Sequence, residues 1–95
     1  MKCSSVEFSR HAMERMFHRK ISPEAVTHVI ETGEVIKVYP DDEPYPSALV
    51  LGFWENEPIH VVVAREEHSR KCYVVTAYRP DSKTWGDDYK TRRQP

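Results

Sequence analysis

The hydrophobic period of this chain changes once, at Val35, and that change limits the folds open to it. Before Val35, apolar residues recur three and four positions apart in two segments, as on one face of a helix. These residues are Ala12, Met13, Met16 and Phe17, followed by Ala25, Val26, Val29 and Ile30. After Val35, short runs rich in β-branched and aromatic residues alternate with turn residues, as in strands. The sequence therefore predicts two helices followed by strands.

Capping residues set the ends of the two predicted helices. Ser9 can accept a hydrogen bond from a free N–H group of the first turn, and that helix is expected to end near Lys20. Ser22 followed by Pro23 is a second helix start, because proline is favoured at the first helical position. Gly33 is a natural residue just past the end of the second helix.

Four strands are predicted, over residues 35–39, 47–54, 59–66 and 71–78. Their connections are too short for crossovers, so neighbouring strands must run antiparallel. We expect an α+β fold in which two N-terminal helices pack on one face of a four-stranded antiparallel meander, followed by a C-terminal tail. The 95 residues suffice for one domain, 1–95.

The pairing of Trp54 with Pro58 is the register that we predict for the second and third strands. It assigns six residues to the face under the helices: Leu49, Leu51, Phe53, Val61, Val63 and Val75. Gly52, His60 and Tyr78 would then form a row across the other face, with Thr76 one step along. A glycine gap beside an imidazole and two hydroxyl groups is a reasonable floor for a ligand.

The net charge of −1 hides an uneven distribution. Residues 1–20 carry five Lys/Arg against two acids, residues 31–57 one against seven, and residues 58–95 eight against five. The two ends could therefore accept a polyanion, although strong non-specific binding to duplex DNA is not expected. No apolar run is long enough to span a membrane, and no signal peptide is visible, so a cytoplasmic protein is expected. Cys3 and Cys72 are expected to be free thiols.

Two interpretations are open for the polar face of the first helix, where His11, Arg15 and His18 lie opposite the apolar stripe. This row is either an ordinary solvated face or part of a site. His60 has the same two readings, as a structural histidine or as a functional one. The histidines lack the spacing of metal ligands, so no metal and no cofactor are predicted.

The whole chain resembles the domain of unknown function family 4258. The resemblance rests on a helical motif, His11-Ala12-x-x-Arg15-Met16-x-x-Arg19-x-Ile21-Ser22, and on two strand motifs, Ile59-His60-Val61-Val62 and Val74-Val75-Thr76-Ala77-Tyr78-x-Pro80, with Trp85 beyond. That family resembles the RelE/barnase/colicin-like ribonuclease-toxin fold. The resemblance implies metal-independent cleavage of single-stranded RNA and a cognate antitoxin protein as partner.

The residue types fit that chemistry. RNA cleavage without metal needs a general base, a general acid and a cation for the charge that develops on the phosphate. Histidine suits proton transfer near neutral pH, and arginine matches phosphate oxygens. The predicted catalytic residues are His11, Arg15, His60 and Tyr78, and the predicted substrate-binding residues are Arg19, Thr76 and Arg92.

Two other classes of function remain open at the level of sequence. One is a non-catalytic module that binds a protein partner or RNA, for which the acidic loop 40–46 and the aromatic residues Tyr45 and Trp85 would be suited. The other is a small structural or regulatory domain whose cationic row is only a solvated face.

Overall fold

The computed structural model describes residues 1–94 and has two helices and five strands. The strands are β1 (Ser5–Phe8), β2 (Glu34–Tyr39), β3 (Ser47–Trp54), β4 (Glu57–Arg65) and β5 (Lys71–Tyr78). The helices are α1 (Arg10–His18) and α2 (Pro23–Thr32), both between β1 and β2. Neither helix is long and apolar enough to cross a membrane, within the residues described.

The sheet is mixed and five-stranded, so the predicted four-stranded antiparallel meander is wrong. The strand order is β1-β5-β4-β3-β2, and β1 runs parallel to β5. The prediction missed β1 because four residues with two apolar side chains, Val6 and Phe8, give a weak signal directly before a helix start. Parallel pairing requires a long connection, and here everything from α1 to β4 supplies it.

The predicted register of β3 and β4 is wrong by one residue. Trp54 pairs with Glu57, and Gly52 therefore pairs with Ile59. The reason is a two-residue turn in which Glu55 and Asn56 both have positive φ, at 51° and 68°, as tight hairpins of the type I′ class require. A shift of one residue moves every side chain of a strand to the opposite face.

The assignment of residues to the two faces of the sheet changes with that register. Leu49, Leu51 and Phe53 lie on the face away from the helices, whereas Val50 and Gly52 lie under α2. Val61 and Val63 are in the helix-side core, as expected. Val75 is exposed instead. It is the extra residue of a β-bulge in β5, since Val62 pairs with Thr76 and Val63 pairs with Val74.

The two cysteines form a disulfide, so the expectation of free thiols is wrong. Cys72 lies in the helix-side core. Because β1 pairs beside it, with Val6 opposite Cys72, the residues just before β1 come within bonding distance. Without β1 in the predicted fold, nothing in the sequence brought Cys3 to Cys72.

The main core lies between the sheet and the two helices, with α2 over β3 and β4 and α1 beside β5. Ala12 and Met16 of α1 are buried there, but Met13 and Phe17 of the same predicted stripe remain exposed. Phe17 is 80% exposed because α1 covers the sheet margin with only one narrow face.

The tail after β5 packs on the sheet face away from the helices. Residues 84–93 form a small hairpin, in which Trp85 bridges to Arg92 and Gly86 N–H donates to the Thr91 carbonyl at 2.8 Å. Asp81 and Asp88 each accept hydrogen bonds from backbone N–H groups two and three residues ahead, which fixes the two turns of the tail. Trp85 is only 7% exposed, so this hairpin closes a second, smaller core.

Candidate functional site

The margin of β5 is where the candidate side chains meet. Pairing with β1 ends at Phe8 and Val74, and α1 then occupies the place beside the rest of β5. Arg19, which follows α1, donates through one Nη to the Thr76 hydroxyl at 3.2 Å and to the Ala77 carbonyl at 2.8 Å. The end of α1 is thereby fixed to the margin of the sheet.

The turn after α1 directs Arg19 toward the sheet. Lys20 has a positive φ of 57°, and Ile21 N–H donates to the Met16 carbonyl at 2.9 Å, which is the pattern of a Schellman motif. The guanidinium group of Arg79 then donates to the carbonyls of Arg19 and Lys20, at 2.6 and 3.2 Å. A positive charge at the C-terminal end of a helix is also favoured by the helix dipole.

A row of cationic side chains runs along α1 beside this margin. His11, Arg15 and Arg19 are spaced four residues apart, so they lie on one side of the helix. Arg15 Nε donates to His11 Nε2 at 2.8 Å, and both side chains are exposed to solvent. The lone pair of His11 Nε2 is therefore engaged by Arg15, and Arg15 must leave it before this nitrogen can take up a proton.

His60 and Tyr78 form a second pair, on the face of the sheet away from the helices. They occupy directly opposed positions of β4 and β5, and His60 Nδ1 lies 3.2 Å from the Tyr78 hydroxyl. His60 Nε2 lies 2.7 Å from the carbonyl of Tyr89 in the tail. Since a carbonyl only accepts, Nε2 carries the proton and Nδ1 accepts from Tyr78.

Burial keeps both members of this pair neutral. The His60 side chain is 0% exposed, and its burial lowers the pKa below 6.5, partly offset by the hydrogen bond to the Tyr89 carbonyl. Burial likewise raises the pKa of Tyr78 above 10.0, against the opposing positive charges of Arg92 and Arg19. Tyr78 is only half-buried, so of the two it is the group that a ligand can reach.

The tail contributes two side chains, Trp85 and Arg92, to this part of the molecule. Trp85 packs edge-to-face on His60, with ring centroids 4.6 Å apart, and Arg92 lies 5.7 Å above the Trp85 ring. Arg92 thus stays close to the sheet and does not fray into solvent. Nothing in the sequence indicates that the Tyr89 carbonyl holds His60.

The structure thus brings the predicted residues together in part. His11 contacts Arg15, Arg19 contacts Thr76, and His60 contacts Tyr78, whereas no hydrogen bond joins the first pair to the third within residues 1–94. The predicted row across the sheet contains Leu51 in place of Gly52, because of the register of β3. His18 is not part of the row beside β5 and lies against Phe17 instead.

The open surface beside His11 was not predicted as part of a site. A groove of about 570 Å³ runs from His11 over Tyr73 and Val75 to Tyr45 of the acidic loop. The rings of Tyr45 and Tyr73 are stacked, with centroids 5.6 Å apart and an angle of 16° between their planes. This contact could not be predicted from the sequence, since the two residues are distant along the chain.

No three histidine, cysteine or acidic side chains gather into a group that could hold a metal ion, among the residues described. The candidate site thus consists of imidazole, guanidinium, hydroxyl and phenol groups, whose chemistry is proton transfer and the binding of anions.

Sequence comparisons identify the chain by its family. No curated protein and no solved structure matches it significantly. A family profile described as "Domain of unknown function (DUF4258)" matches residues 8–79, which include α1, β4 and β5 but not the tail. The match covers well over half of the sequence, and the chain therefore belongs to the DUF4258 family.

Proposed function

We propose that this protein is a metal-independent endoribonuclease of the toxin type that cleaves single-stranded RNA along the margin of β5. The observation that carries the proposal is the row of His11, Arg15 and Arg19 on α1, fixed by Arg19 to Thr76 on the face that also presents Tyr78. These side chains supply proton-transfer groups and phosphate-binding cations at successive positions along the margin of β5. The proposed substrate would make the cytoplasm its place of action, and in that reducing compartment the Cys3–Cys72 disulfide would have to resist reduction by glutathione.

The proposed reaction uses the 2′-hydroxyl group of RNA as the nucleophile. When Arg15 turns from His11 to the phosphate, His11 Nε2 is free to take the proton of that hydroxyl as its oxygen attacks phosphorus, and the bond from phosphorus to the 5′-oxygen breaks. Tyr78, which its raised pKa keeps protonated, turns its hydroxyl proton from His60 Nδ1 to the leaving 5′-oxygen and gives it up there. The products are a 2′,3′-cyclic phosphate and a 5′-hydroxyl group.

The remaining predicted residues bind or position the reacting groups. Arg15, Arg19 and Arg92 would neutralise the charge that develops on the phosphate, and Thr76 holds Arg19 in place. His60 has no exposed surface, so we assign it a positioning role. His60 Nδ1 accepts a hydrogen bond from the Tyr78 hydroxyl, and His60 Nε2 donates one to the Tyr89 carbonyl.

The test is cleavage of a single-stranded RNA by purified protein in the presence of a chelator, with analysis for 2′,3′-cyclic phosphate ends. Arg15→Ala should lower the rate by about a hundredfold, as loss of one transition-state donor does. His11→Ala should lower it by at least about a hundredfold, and Tyr78→Phe should lower it while keeping the ring.

Arg10→Ala is the matched control, since Arg10 lies on the same helix and pairs only with Glu14 among the described residues. It should cleave at the wild-type rate. Equal rates for the wild type and a His11→Ala/Arg15→Ala double variant would refute the assigned site. Absence of cleavage of both naked and ribosome-bound RNA by the folded wild type would refute the enzymatic function.

A second candidate function is the binding of a partner protein, such as an antitoxin, by the outer side of α1. Met13 and Phe17 are 40% and 80% exposed and line a groove with Ile21 and Pro23. The charged or titratable groups lining it are His18 and Lys20, with no carboxylate among them. This surface fits an amphipathic segment with apolar anchors and acidic flanks.

Co-expression with the product of an adjacent small gene tests this second candidate. Phe17→Asp should abolish a complex that Arg10→Ala retains, and it should leave RNA cleavage unchanged, because Phe17 is outside the row beside β5. A complex that survives Phe17→Asp would place the partner elsewhere, and a wild-type homodimer that Phe17→Asp dissociates would assign the surface to self-association.

A further inference from the structure

The groove beside His11 has a floor of small side chains and an aromatic wall. Ser47, Ala64 and Tyr73 are paired in a row across β3, β4 and β5, on the same face as His60. Ser47 and Ala64 are too short to fill the space between Tyr73 and the loop that carries Tyr45. The stacked rings of Tyr45 and Tyr73 therefore border an open groove of about 570 Å³.

The two tyrosines are only half-buried. Both line the groove, so ring surface is available to a ligand. A planar ligand can stack on such a surface in the same way as the rings stack on each other. Aromatic side chains next to cationic ones are the pattern that binds single-stranded nucleic acids, because bases stack while phosphates meet the cations.

The charges on the two sides of the groove are opposite. His11, with Arg15 beyond it, is on the side of α1, whereas Asp42 and Glu43 are on the side of the loop. Asp42 accepts a hydrogen bond from Ser47, and Glu43 is exposed. A bound strand would keep its phosphates toward α1, since the carboxylates repel them, and its bases would then point toward the tyrosines.

From this arrangement we infer that the groove is a nucleobase subsite, in which a base of single-stranded RNA stacks on the Tyr45–Tyr73 pair next to the cationic row of α1. Purines fit it better than pyrimidines, because their two-ring system overlaps more of the aromatic surface. The inference rests on the proposed function for the class of ligand, but it concerns binding and makes a prediction separate from cleavage.

Binding of a 2′-O-methyl adenosine hexamer tests the inference, since the blocked 2′-oxygen cannot attack phosphorus. We expect Tyr45→Ala and Tyr73→Ala each to weaken binding by roughly 5- to 150-fold, the range for loss of one base-stacking contact. Tyr73→Phe should bind like the wild type, because it keeps the ring and loses only the hydroxyl group. Replacing the adenines by abasic sugars should abolish the difference between wild type and Tyr45→Ala.

Phe17→Ala is the matched control, an exposed aromatic residue of the same protein that is outside this groove. It should leave binding of the hexamer unchanged. Wild-type affinity in Tyr45→Ala, or no binding of the hexamer by wild type, would overturn the inference. If binding depends on the tyrosines but no RNA is cleaved, the nucleobase subsite stands and the proposed ribonuclease activity is refuted. If RNA is cleaved and neither tyrosine affects binding or cleavage, the activity stands and the subsite is refuted.

Discussion

His60 has both ring nitrogens satisfied inside the protein, and this decides its role. A histidine that binds a tyrosine hydroxyl on one side and a backbone carbonyl on the other, with no exposed surface, cannot exchange a proton directly with a substrate. It can still fix the hydroxyl of Tyr78, which a ligand can reach. At the residue scale, Tyr78 is thus the member of the pair that a ligand can contact, and His60 is the buried group behind it that holds its hydroxyl.

The lowered pKa of His60 predicts a pH-dependent stability. In the unfolded chain this histidine binds a proton near pH 6.5, whereas in the folded protein it resists protonation. The unfolded state therefore binds more protons as the pH falls through 6.5, and the free energy of unfolding must decrease from there down to the lowered folded pKa. Above pH 7 the contribution is constant.

Denaturant unfolding of the wild type and of His60→Gln between pH 8 and pH 5 measures this effect. The wild type should lose stability below about pH 6.5, and His60→Gln should lose less over the same range. His68→Gln is the control, because His68 lies exposed in the turn between β4 and β5. An identical pH dependence in wild type and His60→Gln would contradict the assignment of His60 as a buried neutral group.

At the scale of elements, the contact of α2 with β3 depends on Gly52. A Cβ atom at Gly52 would lie 2.9 Å from Val29 Cγ1 and 3.1 Å from Val29 Cα. The second of these atoms belongs to the backbone of α2, so the helix itself would have to move. The glycine is therefore needed for close packing of the helix on the sheet and not for a ligand gap on the other face.

Gly52→Ala should accordingly destabilise the protein by about 1–3 kcal/mol, the usual cost of overpacking a core. Gly86→Ala is the matched control, since its new Cβ would meet only the Thr91 carbonyl and the Asp88 carboxylate, at 3.4 and 3.5 Å. That change should stay within about 0.5 kcal/mol of the wild type. Chemical unfolding of both variants measures the difference, and equal stabilities would contradict the packing of α2 on Gly52.

On the scale of the whole molecule, both ends of the chain are attached to the sheet. The segment before β1 is joined to β5 by the disulfide, and the tail after β5 covers the other face of the sheet. The two bonded cysteines are 69 residues apart in sequence, so the crosslink restricts most of the unfolded chain. It also holds β1, which leads directly into the helix that carries His11 and Arg15.

Reduction of this disulfide should lower the stability by up to about 4 kcal/mol, as the loop-closure entropy of such a span implies. The difference between thermal unfolding with and without reductant measures it, and Cys3→Ser should reproduce the reduced value without reductant. Mass spectrometry after alkylation of the unreduced, denatured protein should find neither thiol labelled. Two labelled thiols would show that the crosslink does not form under those conditions.

The sequence by itself determined the local elements, because capping residues and apolar spacing act over a few residues. Ser9 and Ser22 cap α1 and α2 as expected, and each accepts from a backbone N–H group three residues ahead. The four longer strands also follow from short-range alternation. The motif that contains His11, Arg15 and Arg19 is likewise visible before any fold is known.

Only the tertiary structure decided which residues meet across distance. The addition of β1 beside β5 and the return of the tail over His60 depend on contacts between segments far apart in sequence. The turn at Glu55 and Asn56 is local, but the choice between it and a longer turn is made by how the faces of β3 and β4 pack. Such pairing is selected by the free-energy minimum of the whole chain, in which apolar burial is extensive and buried hydrogen-bonding groups are satisfied, and no local pattern encodes it. For that reason the side chains of the candidate site were identifiable from the sequence, whereas the burial of His60 and the groove at Tyr45 and Tyr73 were not.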